Sequence, residues 1–243
     1  MSSLPPSYSL TISLFMPIAK WFIKLMKSEP TPRVPKFLWA IDERKCLNNN
    51  EIQTLRTFCA KARRQGVRSG KFTPIRNWFM IELGLNAGLR VEEMASLKHS
   101  NLIIENGRSS IAVLGKGNKK RAVWINNDFK RKCQFYLGYK ERFGYSLDDD
   151  SYLLNNLKGG KISKRALQKF FKIIMKRAGL PAHFHIHCLR HTYTTFLLSA
   201  SNFNYRFVQQ QLGHSSINTT QVYAGIIESE GKKAIEKLYH DFT

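Results

Sequence analysis

His187-Cys188-Leu189-Arg190-His191, then Leu212-Gly213-His214, then Tyr223, set imidazoles, a guanidinium and a phenol within one short stretch of a 243-residue chain. A tyrosine nucleophile needs a polarised acceptor. A phosphodiester held by arginine and imidazole is such an acceptor, so the pattern points to covalent chemistry on a nucleic-acid backbone without metal. The surroundings agree. Lys and Arg number 39 against 17 Asp and Glu, a formal net charge of +22. That excess implies a polyanion partner, nucleic acid or an anionic membrane surface. The basic residues run along the whole length, which suits a protein gripping a duplex better than a juxtamembrane cluster. A basic ribosome-associated protein is the alternative on charge alone.

Hydrophobic residues make up 43% and aromatics 12%, enough for a core and too many for a largely disordered chain. Cys46, Cys59, Cys133 and Cys188 lie far apart without a Cys-x-x-Cys pair, so a disulfide framework or zinc ribbon is not expected and a reducing compartment fits. The apolar stretch from Tyr8 to Met26 is broken by Pro17, Lys20 and Lys24. It lacks a signal-peptide pattern and falls short of a membrane span.

Outward from the opening stretch, the periodicity is mostly helical. Ser28 to Lys36, with Pro30, Pro32 and Pro35, reads as a linker after one amphipathic helix near Pro17 to Lys27. Asn49 or Asn50 can cap a helix through Ile52, Leu55 and Phe58. Another carries Trp78 to Leu85 and ends near Gly88, and a short one follows Arg90. Leu102 to Glu105, Ser110 to Leu114 and Arg121 to Ile125 read as strands, the last two joined by a turn at Gly115 to Lys119. Asn127 can cap a helix through Leu137. A further helix starts at Ser163 and stops at Gly179-Leu180-Pro181, and short helices follow near Leu189 to Ser199, Tyr205 to Leu212 and Ile217 to Tyr223, with a tail through Leu238. The expected fold is α+β, mainly α-helical, with one small antiparallel sheet.

The residue chemistry can be argued by itself. Arg90 and Arg190 can clamp both non-bridging oxygens of a phosphodiester and favour its crowded transition state. Tyr223 has an ordinary pKa near ~10 and needs a base, for which His187 is suited. His214 can donate to the phosphate, and Lys116 can protonate the departing sugar oxygen. Simpler readings stand beside these. Arg90 can pair with Glu92 or Glu93, and Lys116 competes with Lys119 and Lys120 as a turn lysine or phosphate contact. His183, His185 and His187 alternate as metal ligands would, but no carboxylate or cysteine cluster completes the set. His191 reads as structural.

These motifs resemble the tyrosine recombinase (phage integrase) family. His187 to Tyr193 is similar to its His-x-x-Arg box, and Leu212 to Ala224 to the box in which Leu-Gly-His precedes Thr-Thr and the tyrosine. Gly88-Leu89-Arg90-Val91-Glu92-Glu93 resembles the first box, and Gly115 to Arg121 the hairpin with the family's lysine. All four stand in the family's order from Gly88 to Ala224, with similar helices back to about Cys46. The resemblance implies a site-specific recombinase that cleaves and rejoins DNA through a 3′-phosphotyrosyl intermediate, without metal or ATP. Its implied catalytic set is Arg90, Lys116, His187, Arg190, His214 and Tyr223, with Glu93 supporting them. Lys119, Lys120, Arg121, Lys164 and Arg165 are candidate DNA backbone contacts. The implied partner is double-stranded DNA, with a homotetramer on synapsed DNA, a monomer when free, no membrane, and a place in the cytoplasm on the nucleoid. Residues 1-45 correspond to an N-terminal arm, the remnant of a core-binding domain plus linker, and 46-243 to the catalytic domain with its tail helix. A weakly active or non-catalytic DNA-binding remnant and a type IB topoisomerase-like enzyme are the alternatives.

Overall fold

Asn48 caps the first long helix. Its side chain accepts from the Glu51 N–H at 2.9 Å while the Glu51 carboxylate accepts from the Asn48 N–H at 2.9 Å. This reciprocal box starts helix α1, Asn49–Arg68, one residue before the expected caps. Asn49 has Ile52 at the corresponding spacing and cannot close such a box. The computed structural model describes residues 45–105, 109–115 and 120–213. The expectations for the arm and its linker, for the turn at 116–119, and for the helices beyond Gly213 lie outside the described residues.

Helix α2, Phe72–Ala87, is the centre of the core. Ile75, Phe79, Met80, Ile81 and Leu83 are each fully buried, so the helix is apolar on nearly every side. It begins a turn and a half before Trp78, with Pro74 accommodated in its first turn. Gly88 ends it in the left-handed region at φ 57°, its N–H donating to the Gly84 carbonyl. Helix α3, Val91–Ser96, restarts at once from Arg90. A single 3-10 turn, His99–Asn101, then leads into the sheet.

Strands β1 (Leu102–Ile104), β2 (Ser109–Leu114) and β3 (Lys120–Ile125) form an antiparallel meander in the order β1-β2-β3. Ile111 faces Leu102 on one side and Val123 on the other, and Val113 faces Arg121. Because successive side chains alternate, Ile111, Val113, Arg121 and Val123 share the face turned to the core. Helix α4, Asn127–Arg142, is capped by the Asn126 side chain, again one residue earlier than expected. Its Tyr136 stacks on Phe79 of α2 at 3.9 Å between ring centroids, 5° from parallel, and donates to the Leu153 carbonyl at 3.0 Å. Ser163, expected as the start of this helix, caps α5, Lys164–Arg177.

Helix α6, His187–Ala200, lies against α2 where Gly84 leaves room. A Cβ on Gly84 would meet Leu189 Cδ1 at 2.6 Å, so a larger residue would hold the two helices apart. Helix α7, Tyr205–Leu212, packs through Val208 and Leu212 onto Leu198 in a small satellite core. No described helix is long and apolar enough to cross a membrane.

Candidate active site

Three features of the fold bring the site together. The turn at Gly88 projects Arg90 from the start of α3, the close α2–α6 approach brings up His187 and Arg190, and α7 ends beside both. Arg190 is nine-tenths buried. Its Nη1 donates to the Gly88 carbonyl at 2.6 Å and its Nη2 to the Leu212 carbonyl at 3.0 Å. One guanidinium thus ties the loop before Arg90 to the end of α7.

Glu93 is the buried anion behind this group. Its Oε2 accepts from the Arg90 N–H at 2.8 Å and from Arg121 Nη2 at 2.9 Å. Its Oε1 accepts from Arg90 Nη1 at 3.1 Å and from Arg121 Nη1 at 2.8 Å. Burial pushes the Glu93 carboxyl upward, but the Arg121 and Arg90 hydrogen bonds and the Arg121 and Arg190 charges outweigh it. The net displacement is below the usual carboxylate value, so Glu93 is an anion at neutral pH. Of the two partners open to Arg90 in the sequence, Glu93 is the one it takes. Glu92 turns outward to Lys164 at 2.6 Å.

His187 is the first residue of α6 and is an exposed residue. Desolvation and then the positive charges of Arg190 and Arg90 lower its pKa from the ordinary histidine value. It is therefore a neutral imidazole at pH 7, able to take a proton. His183, His185 and His187 are exposed while Phe184, Ile186 and Cys188 between them are buried, so the expected alternation is present. Among the described residues no group of three or more His, Cys, Asp or Glu is placed to hold a metal ion.

Arg121, expected at a DNA backbone, has each of its guanidinium nitrogens engaged within the protein: its side chain is 9% exposed, both terminal nitrogens are on Glu93, and Nε donates to the Gln211 carbonyl at 3.1 Å. The physical reason is strand alternation, since Arg121 stands two residues before buried Val123 and on the same face. That signal was present in the sequence. Gln211 was missed altogether. It is buried, and its Oε1 accepts the Trp124 N–H at 2.9 Å, a contact between residues that no local pattern relates. Lys120, Lys164 and Arg165 are exposed, with Lys164 engaged by Glu92. Lys116, Lys119, His214 and Tyr223 lie outside the described residues.

The described centre gathers three guanidiniums, one buried carboxylate and one neutral imidazole. It has the charge to hold an oxyanion and a base to accept a proton.

The phage integrase family model matches residues 45–229. The tyrosine recombinase XerC of Mannheimia succiniciproducens is 39% identical over 150 residues, covering 61% of this chain and 48% of that protein. XerC of Lactobacillus leichmannii is 35% identical over 164 residues, covering 67% and 54%. Among solved structures, the XerH site-specific recombinase bound to difH substrate in a pre-cleavage complex aligns with a TM-score of 0.61 at 28% identity. The alignment covers 77% of this chain and 52% of that one. The chain spans about half the length of the curated relatives it matches.

Proposed function

The chain belongs to the phage integrase family, and on that premise we propose that it is a tyrosine-type site-specific recombinase, which breaks and rejoins DNA strands through a covalent 3′-phosphotyrosyl intermediate. The observation that carries the reading is the convergence of Arg90, His187 and Arg190 with the end of α7, whose continuation in sequence holds His214 and Tyr223.

In this reading Arg90 and Arg190 hold the non-bridging oxygens of the scissile phosphate, and their attraction grows as the pentacoordinate transition state gains charge. Neutral His187 takes the Tyr223 proton as the phenolate oxygen attacks phosphorus. His214 donates to the phosphate, and Lys116 gives a proton to the departing 5′ oxygen. The new phosphotyrosyl ester conserves the energy of the broken linkage. A 5′-hydroxyl then attacks it, reseals the strand and releases Tyr223, so neither ATP nor a metal enters either transesterification. Glu93 holds Arg90 from behind.

The partner is duplex DNA, which the +22 net charge and the substrate-bound state of the XerH structure support. A homotetramer on two synapsed duplexes and residence on the nucleoid belong to the same proposal. The test is a nicked suicide duplex, from which the strand beyond the nick diffuses away and traps the intermediate. A covalent protein–DNA adduct is expected, and it disappears in Tyr223→Phe. DNA bound without adduct would mark the chain as a non-catalytic binder, and an adduct surviving in Tyr223→Phe would remove Tyr223 from its role.

A further inference from the structure

We infer that Arg121 is a positioning residue for the proposed cleavage reaction, coupling the Arg90–Glu93 pair to the chain segment that leaves α7. The inference rests on the recombinase reading and extends it to a residue whose guanidinium nitrogens are engaged by Glu93 and the Gln211 carbonyl.

Two features of the geometry support it. The first is charge. Glu93 with Arg90 alone is a neutral pair, and a buried carboxylate with one guanidinium partner draws that partner inward. Arg121 places its fork on both Glu93 oxygens, at 2.8 and 2.9 Å, while Arg90 shares only one of them through its side chain, at 3.1 Å. Arg121 thereby compensates Glu93 from the core side. Arg90, 38% exposed at its side chain, is left partly open to solvent.

The second is the path of the chain. The last carbonyls of a helix have no intrahelical partners, and cations are favourable there. At the end of α7 two successive carbonyls are taken by arginines, Gln211 by Arg121 Nε at 3.1 Å and Leu212 by Arg190 Nη2 at 3.0 Å. Gly213 then turns in the left-handed region at φ 64°, and a Cβ there would meet Arg121 Cδ at 2.6 Å. The backbone at Gly213 thus passes directly over the Arg121 stem. The Trp124 N–H to Gln211 Oε1 bond, at 2.9 Å, adds a second link between β3 and α7. One side chain therefore spans the Arg90–Glu93 pair at the start of α3 and the end of α7, from which the chain continues to the proposed nucleophile.

The experiment uses the full chain and a nicked suicide duplex that the wild-type protein selects covalently from a pool of randomised core sequences. Arg121→Met keeps the stem and removes the charge and fork. It should lower single-turnover cleavage roughly hundredfold, the cost of a misplaced reacting group, while the salt dependence of DNA binding stays at the wild-type slope. Arg121→Lys restores the charge without the fork and should recover only part of the rate. Glu93→Gln combined with Arg121→Met should be no slower than the slower single variant, because both act through one unit. A fall of about one in the salt slope would mean that Arg121 contacts phosphate and would overturn the inference. So would wild-type cleavage by Arg121→Met, or a rate loss that vanishes at a temperature where the variant is fully folded. If the wild-type chain captures no duplex, the recombinase reading itself fails and takes this inference with it.

Discussion

Arg190 donates from Nη1 to the carbonyl oxygen of Gly88 at 2.6 Å, across 102 residues of chain. A residue expected to hold phosphate is thus also a strut. The guanidinium proposed to hold the scissile phosphate also fixes the loop before Arg90, and replacing it removes both together.

Arg190→Met should therefore be unstable as well as inactive. Two backbone carbonyls, of Gly88 and Leu212, lose a charged donor. Hydrogen bonds to charged groups contribute about 1.5–3 kcal/mol each, so urea denaturation should show a loss of at least about 2 kcal/mol. A midpoint equal to that of the wild-type protein would show that the carbonyls find water at no cost.

Cleavage should hold up on the acid side. The His187 pKa is lowered by desolvation and by Arg190 and Arg90, so the imidazole stays neutral below the ordinary histidine value of about 6.5. Single-turnover cleavage should be flat through that value and decline only at lower pH. In Arg90→Gln one of the lowering charges is gone, and the acid limb should move upward. An unmoved limb would exclude His187 as the group titrating.

Folding stability should carry a separate acid limb from a site remote from the chemistry. Buried Lys140 places its Nζ 2.6 Å from His99 Nε2 and donates to the Tyr152 carbonyl at 2.7 Å. Desolvation and then the Lys140 charge push the His99 pKa down to about 4. The folded value lies below the unfolded one, so the unfolded chain binds the proton more readily and stability falls as pH drops from about 6.5 to about 4. Desolvation also lowers Lys140, to about 8. The same sign makes stability rise as pH climbs from about 8 toward about 10.4. His99→Gln should flatten the acid limb in thermal melts while leaving the alkaline one.

DNA affinity should divide the basic residues by position. Lys164 and Arg165 are exposed at the start of α5, and Lys164→Ala or Arg165→Ala should each weaken binding across all sequences and reduce the salt slope by about one. Glu92→Gln frees Lys164 from its 2.6 Å ion pair and should strengthen binding at low salt. An unchanged slope in both alanine variants would place the duplex elsewhere.

Much of the fold was legible in local pattern. The helix expected from Ser163 begins at Lys164 with Ser163 as its cap, and the caps of α1 and α4 lie one residue before the first expected asparagine, at Asn48 because Glu51 stands three residues on and at Asn126 by its bond to the Phe129 N–H. The start of α2 was placed too late. Its first turn includes Pro74, which punctuates a sequence even where a helix tolerates it. Of the candidate site, the described residues place Arg90, Glu93, His187 and Arg190 in one neighbourhood. The protein partners of Arg121 were less legible, because a basic residue beside a lysine-rich turn looks solvent-facing until the strand's period of two is followed through Val123.

The sequence by itself determined which chemical groups are available, their order along the chain, the helical periodicity and the charge that calls for a polyanion. These follow from residue type and near-neighbour spacing. Only the tertiary structure decided which charges neutralise one another and which remain for a ligand. Glu93 chose Arg90 and Arg121 over other cations, Glu92 was left to Lys164, and Arg190 divided itself between Gly88 and Leu212. Those choices depend on burial and on contacts between residues far apart in sequence. A buried carboxylate must find its partners among whatever cations packing brings within about 3 Å.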